Sequence, residues 1–206
     1  FIKAEDADYY FDVINKSEHA GLYSLLVSYL LMARQKVRES KVDTALVYAY
    51  AKTNELAELE KFINGTNSAH IIDVADRCFD EGLFEAAAVL FQNANNPARL
   101  AITYVRLGDL PAAVEWAKKA THVSTWKEVS RACVEAKNFK LARVCGLHII
   151  VHGDEIQDLI RLYENRGYVD ELLVLMEAGL ESDKAQRGMF TETAILYCKY
   201  RPERVR

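Results

Sequence analysis

The sequence predicts an all-α protein, an α-solenoid of about seven stacked antiparallel helical hairpins with a repeat of about 29 residues. Three observations predict it. Turn-forming residues recur at Gly21, Asn54, Gly82, Gly108, Lys137 and Gly167, spaced by 33, 28, 26, 29 and 30 residues. Apolar residues recur at fixed offsets from these turns. Two positions on stand Tyr23, Leu56, Phe84, Leu110, Phe139 and Val169; five on stand Leu26, Leu59, Ala87, Ala113, Ala142 and Leu172; eight on stand Tyr29, Phe62, Leu90, Trp116, Cys145 and Leu175. Offsets of two, five and eight trace one helical face. Finally, no segment alternates with period two over a convincing length, so no sheet is expected.

The stretch Tyr104 to Ala120 shows the unit most clearly. A helix ends near Leu107, and Gly108 adopts positive φ at no steric cost. Asp109 or Leu110 opens the next helix with Pro111 in its first turn, where a missing N–H costs nothing. Leu110, Ala113, Trp116 and Ala117 share one face. Extended along the chain, the pattern predicts helices at 6–17 and 20–36, 42–53 and 55–64, 68–80 and 83–93, 97–107 and 110–120, 125–136 and 139–150, and 154–166 and 169–180. A seventh hairpin begins at 187–199. Thr125 and Glu128 have capping-box spacing and predict a helix start at Trp126. Four positions before each turn stand Ser17, Tyr50, Cys78, Tyr104, Cys133 and Tyr163, mostly bulky or apolar. One hairpin is too small to bury its own face, so stacked neighbours share a core and the expected product is a rod on the order of 70 Å long. The stretch 179–188 (GLESDKAQRG) is expected as a long loop, and residues 1–206 as one continuous solenoid segment without a second domain.

Composition narrows the function classes. Hydrophobic residues are 50% and charged residues 27% of the 206, enough apolar material for a core. The formal net charge of −4 argues against a nucleic-acid surface. The longest apolar runs, about seven residues, fall far short of a bilayer span. The chain begins with Phe1 and ends in a helical pattern, as expected of a piece of a longer protein. Cys78, Cys133, Cys145 and Cys198 lie at wide spacings without a CxxC motif, as expected of buried reduced thiols. Asn15 and Asn64 head glycosylation-type triplets by chance if the compartment is cytosolic.

No chemistry-bearing motif emerges. His148 and His152 stand i,i+4, a spacing two metal ligands can share, but no glutamate of an HExxH motif accompanies them, and the residues between them look like core. Arg34, Lys36, Arg38 and Lys41 end a helix, where cations suit the dipole. No nucleophile–base pattern and no phosphate loop occurs, so no catalytic, cofactor or metal residues are expected.

Four strings go beyond a generic helical repeat: AKTNELAELEKFING (51–65), STWKEVSRACVEAKNF (124–139), LARVCGLHIIVH (141–152) and MFTETAILYCKY (189–200). They closely resemble the clathrin heavy-chain family, within the repeat region of its proximal leg. The resemblance covers essentially all of residues 21–206. It implies a scaffold rather than an enzyme: a leg segment of the polyhedral coat on coated pits and vesicles, peripheral on the cytoplasmic face, touching membrane only through the coat. It implies other heavy-chain legs and the clathrin light chain as partners, with trimerisation left to a carboxy-terminal hub outside these residues. The resemblance further points to Trp126 and Lys127 as light-chain contacts. Trp126 alternatively packs on the next hairpin, while Lys127 faces outward toward acidic residues of a light-chain helix. Three other readings compete: a helical-repeat arm of a vesicle-tethering (vacuolar sorting) complex, an enzyme on a helical array, and a nucleic-acid-binding repeat. The last two need a polar cluster breaking the apolar faces, or a basic concave stripe, and neither is apparent.

Overall fold

The computed structural model describes residues 9–182, 185 and 187–204. Among them are thirteen α-helices, two short 3-10 turns and no strand. The chain divides into two compact units, residues 1–107 and 108–206.

The first unit holds α1 (Tyr10–Ala20), α2 (Tyr23–Lys36), α3 (Ser40–Thr53), α4 (Leu56–Asn64), α5 (Ile71–Asp80), α6 (Phe84–Asn93) and α7 (Pro97–Leu107). Helix α1 packs on α2, α2 on α3, α3 on α4, α5 on α6 and α6 on α7, and alternate helices stack, α3 on α5 and α4 on α6. Helix α3 is enclosed by α2, α4 and α5, so Ala45 through Ala51 are all buried. A helix apolar on every side is stable only in such a place.

The second unit holds α8 (Leu110–Ala120), α9 (Val123–Glu135), α10 (Phe139–Ile149), α11 (Ile156–Arg166), α12 (Val169–Leu180) and α13 (Arg187–Tyr200). Here α8 stacks on α10, α9 on α11 and α10 on α12. The α10–α12 approach is close because Gly146 lacks a side chain: a Cβ there would stand 2.5 Å from Leu175 Cδ2.

The hairpin register is physical. All six turn residues have left-handed backbone, with φ between 57° at Lys137 and 80° at Gly82 and Gly108. At five of them the next residue's N–H donates to the carbonyl four residues before the turn: Leu22 to Ser17, Glu55 to Tyr50, Leu83 to Cys78, Asn138 to Cys133 and Tyr168 to Tyr163, at 2.8–3.0 Å. This is the 6→1 bond of a Schellman cap, which satisfies a carbonyl that the helix end would otherwise orphan. Lys137 carries the strain of a Cβ in this region where four sister turns use glycine. All six residues at offset five are buried, each at most 1% exposed, while those at offset two are half-buried.

Predicted boundaries hold within three residues for most helices, and α7, α8 and α12 coincide with their predicted spans. The differences have physical causes. Helix α1 runs on to Ala20, since Gly21 and not Ser17 supplies the left-handed cap; its predicted start at residue 6 lies outside the described residues. Helix α9 starts at Val123 behind the extended backbone of His122, whose side chain makes no capping bond. Thr125 is therefore a buried residue of the first turn and the capping box does not form. At α8 the expected start is made, with Asp109 accepting from the Ala112 N–H at 3.0 Å. Trp116, expected in the core, is only half-buried, and Lys119 Nζ lies 3.8 Å above its ring. The stretch 179–188 is less of a loop than expected, because α12 includes Gly179 and α13 begins at Arg187. A Cβ at Gly179 would stand 2.3 Å from Ile150 Cδ1, so that side chain would have to shift to admit one.

Candidate partner-binding site

In the second unit, the stacking of α9 on α11 leaves a groove of about 290 Å³. Its floor is apolar, with Ile149, Leu159 and Leu162, and its rims are charged, with Lys127 and Arg131 on α9 and Glu155, Asp158 and Arg161 facing them. Lys127 and Arg131 stand i,i+4 and so share one stripe of α9.

Trp126 and Lys127, the two residues singled out by the sequence, play different parts. Trp126 is only 4% exposed. Its ring stacks on His148 of α10, centroids 4.1 Å apart and planes 7° from parallel. The indole thus supports the groove from within its hairpin. Lys127 is the fifth residue of α9, beyond the turn where the helix dipole opposes a cation. Its Nζ donates to Glu155 Oε2 at 2.5 Å and to Asp158 Oδ2 at 3.0 Å, and its side chain stays 32% exposed. Hydrogen bonds to Glu155 and then Asp158 raise its pKa, so the ammonium end of the clasp is fully charged below the usual lysine range and is lost as pH rises above it. The two acids were not identified from sequence, although the repeat length held the signal: 28 and 31 residues beyond Lys127 is one hairpin further on the same face.

The same one-repeat reach recurs. Arg166 of α11 donates to Glu135 at the end of α9 at 2.6 Å, and Lys199 of α13 to Glu164 of α11 at 3.0 Å. In the first unit Lys52 of α3 donates to Glu81 after α5 at 2.8 Å. Tyr48 donates to the same carboxylate at 2.7 Å, and Arg77 reaches it at 3.2 Å with its guanidinium 3.5 Å above the Tyr48 ring. Arg77 also pairs with Glu18 of α1 at 2.9 Å. Burial pushes the Glu81 carboxyl up, but bonds from Lys52, Tyr48 and Arg77 outweigh it and hold the carboxyl below its usual 4.5. A lowered carboxyl pKa stabilises the fold above the unfolded value and loses that contribution as pH falls through the folded one. Glu81→Gln is accordingly expected to narrow its stability deficit against the unaltered chain as pH falls from about 6 to about 3, read by urea unfolding at each pH. A deficit constant with pH would count against the network.

The basic cluster expected at the end of α2 is partly structural. Arg34 donates to Asp43 Oδ1 at 2.7 Å and lies 4.7 Å over the Phe62 ring. The His148/His152 pair does not share a helical face, because α10 ends at Ile149 and His152 lies in the following turn. Among the described residues no group of three or more His, Cys, Asp or Glu is arranged to hold a metal, and no helix is long and apolar enough to cross a membrane.

The family model for the region in clathrin and VPS matches residues 1–141 and 147–206. The chain belongs to the clathrin repeat family. Its similarity to clathrin heavy chains runs along its whole length: 54% identity over 205 residues with the clathrin heavy chain of Dictyostelium discoideum, 47% over 205 with clathrin heavy chain 2 of Homo sapiens, and 47% over 205 with clathrin heavy chain 1 of Arabidopsis thaliana. Each match takes in all of this chain and 12% of the relative, so the chain spans about one eighth of the heavy chains it resembles. Hairpin stacking with a shared core is what a clathrin repeat segment requires, and both units have it.

Proposed function

We propose that this chain is a scaffold segment of a clathrin heavy-chain leg, one continuous run of repeats, contributing to the polyhedral coat of coated pits and vesicles in endocytosis and intracellular protein transport. The observation that carries this reading is the full-length similarity to heavy chains from amoeba, animal and plant. The segment acts by shape and by many weak contacts with other legs, whose summed avidity holds a lattice that can still come apart. It works on the cytoplasmic side, meets membrane only through the coat, needs no cofactor and catalyses nothing. Trimerisation belongs to a carboxy-terminal hub outside these residues.

The clathrin light chain is the proposed partner, lying as a helix along the α9/α11 groove. An amphipathic helix in a groove is a common recognition mode, with apolar anchors on the floor and charges along the rim. Lys127 contributes the cation by exchanging Glu155 and Asp158 for acidic groups of the light chain, and Trp126 holds the groove wall. The alternative, an arm of a vesicle-tethering complex, draws on the VPS members that the family model also covers. Titrating a fluorescent light-chain helix with the 206-residue chain distinguishes the two. Binding that weakens as salt rises is expected. A folded chain that does not bind at any salt concentration would favour the tethering arm.

A further inference from the structure

The first unit carries an apolar slot of about 270 Å³. Helix α3 is its floor: Lys41, Thr44, Ala45 and Tyr48 stand at i, i+3, i+4 and i+7, one helical stripe about 10 Å long. Phe11 and Ile14 of α1 form one wall, and Val74 of α5 the other. One end is bridged by Arg77 of α5, which pairs with Glu18 of α1 at 2.9 Å while its guanidinium lies 3.5 Å above the Tyr48 ring. At the other end the Lys41 ammonium lies 5.1 Å above the ring of Phe11, which is itself 53% exposed.

The repeat register shows what sets this slot apart. In the second unit Lys127 stands ten residues before its turn residue Lys137, and its acids Glu155 and Asp158 stand twelve and nine before Gly167. The same positions in the first unit are Thr44, ten before Asn54, and His70 and Asp73, twelve and nine before Gly82. The lysine of the clasp is thus replaced by a short hydroxyl, whose oxygen accepts from the His70 backbone N–H at 3.0 Å. Asp73 keeps the place of one clasp acid without its cation. Among the described residues, Lys41 and Asp73 make no ion pair. Two uncompensated charges of opposite sign therefore flank an apolar slot, the cation against the α1 wall and the anion on α5.

We propose that the slot receives an amphipathic helix of a partner protein, with apolar side chains one turn apart on the α3 floor, a carboxylate on the Lys41 side and a cation on the Asp73 side. A helix laid in a groove presents anchors at i, i+3 and i+4, which matches a floor two turns long. A cavity of ~150 Å³ takes a benzene ring, so the slot holds about two such anchors, while the backbone of the helix rides above it. The anchors cover the Phe11 ring and remove its apolar face from water. The flanking charges select the partner, because a helix acidic or basic on both flanks sets like charge against like on one wall.

The test uses the 206-residue chain and three fluorescein-labelled synthetic helices that share one leucine stripe. The first carries glutamate on one flank and lysine on the other, the second glutamate on both, the third lysine on both. The mixed helix is expected to bind the unaltered chain tightest, and Phe11→Ala to weaken it about tenfold. Asp73→Lys should make the all-glutamate helix the preferred probe, and Lys41→Glu the all-lysine helix, with helical circular dichroism kept in each variant. The proposal is overturned if none of the three binds, or if their ranking is the same in all the variants. It is also overturned if light scattering shows the chain alone to be a dimer that Phe11→Ala dissociates, since the slot would then belong to a second copy.

Discussion

Phe91→Ala is expected to destabilise the first unit by about 3–5 kcal/mol. Phe91 lies on α6, is 0% exposed and is among the largest fully buried side chains. Helix α6 packs against α4, α5 and α7. Removing the ring takes away its transfer free energy and leaves a cavity that rigid helices on several sides close poorly. The Arg99 guanidinium, 5.5 Å above the ring, also loses a contact. Because repeat stability is a sum of local and nearest-neighbour terms, hydrogen exchange in Phe91→Ala should accelerate first in α4 through α7. Urea unfolding with a change under about 1 kcal/mol would mean that α6 does not sit in the core.

Asp43→Ala is expected to cost about 2–3 kcal/mol, through unmade polar contacts and not a cavity. Asp43 is 6% exposed on α3. Its carboxylate accepts from Arg34 at 2.7 Å, from the Ser68 N–H at 2.8 Å and from the Ser68 hydroxyl at 3.1 Å. One side chain thus ties the end of α2 and the segment before α5 to α3. Alanine strands a backbone N–H in a partly buried place. Arg34 keeps part of its hydration, with its side chain 35% exposed, which holds the expected cost below that of a fully buried pair. Asp43→Asn keeps the shape and one acceptor and should cost less than alanine. Equal losses in the two variants would show that shape and not hydrogen bonding matters there.

The helical architecture was legible because its signals are local. A left-handed turn favours glycine or asparagine, and five of the six turns use one; Lys137 was found only by counting repeats from its neighbours. Offset five was legible because every hairpin buries that position whatever its size, from Ala87 to Leu172. What depends on neighbouring hairpins was read less well. Trp116 and Trp126 are both large and apolar, yet α9 and α10 enclose Trp126 while Trp116 stays half in solvent under Lys119. The Thr125–Glu128 pattern was overridden because the helix could begin earlier, at Val123. Lys127 was singled out as an outward-facing cation, and its clasp by Glu155 and Asp158 appears only once α9 lies on α11. Asn95 and Thr121, the left-handed residues between hairpins, both stand thirteen residues past a turn, but the other four hairpins have no left-handed residue at that offset, so it does not stand out as a repeat feature.

That clasp makes the proposed function testable by sign. Lys127→Gln removes the cation from the α9 rim, whereas Glu155→Gln with Asp158→Asn leaves the cation in place and frees it for a partner. Measured against a fluorescent light-chain helix at moderate salt, the first should weaken binding by about tenfold, and the second should tighten it, since the partner's acids no longer compete with two internal carboxylates. Circular dichroism on each variant confirms that helices are retained. Opposite shifts are the predicted result. Two variants that leave the affinity unchanged, or move it the same way, would contradict a light-chain helix held by Lys127 in the α9/α11 groove.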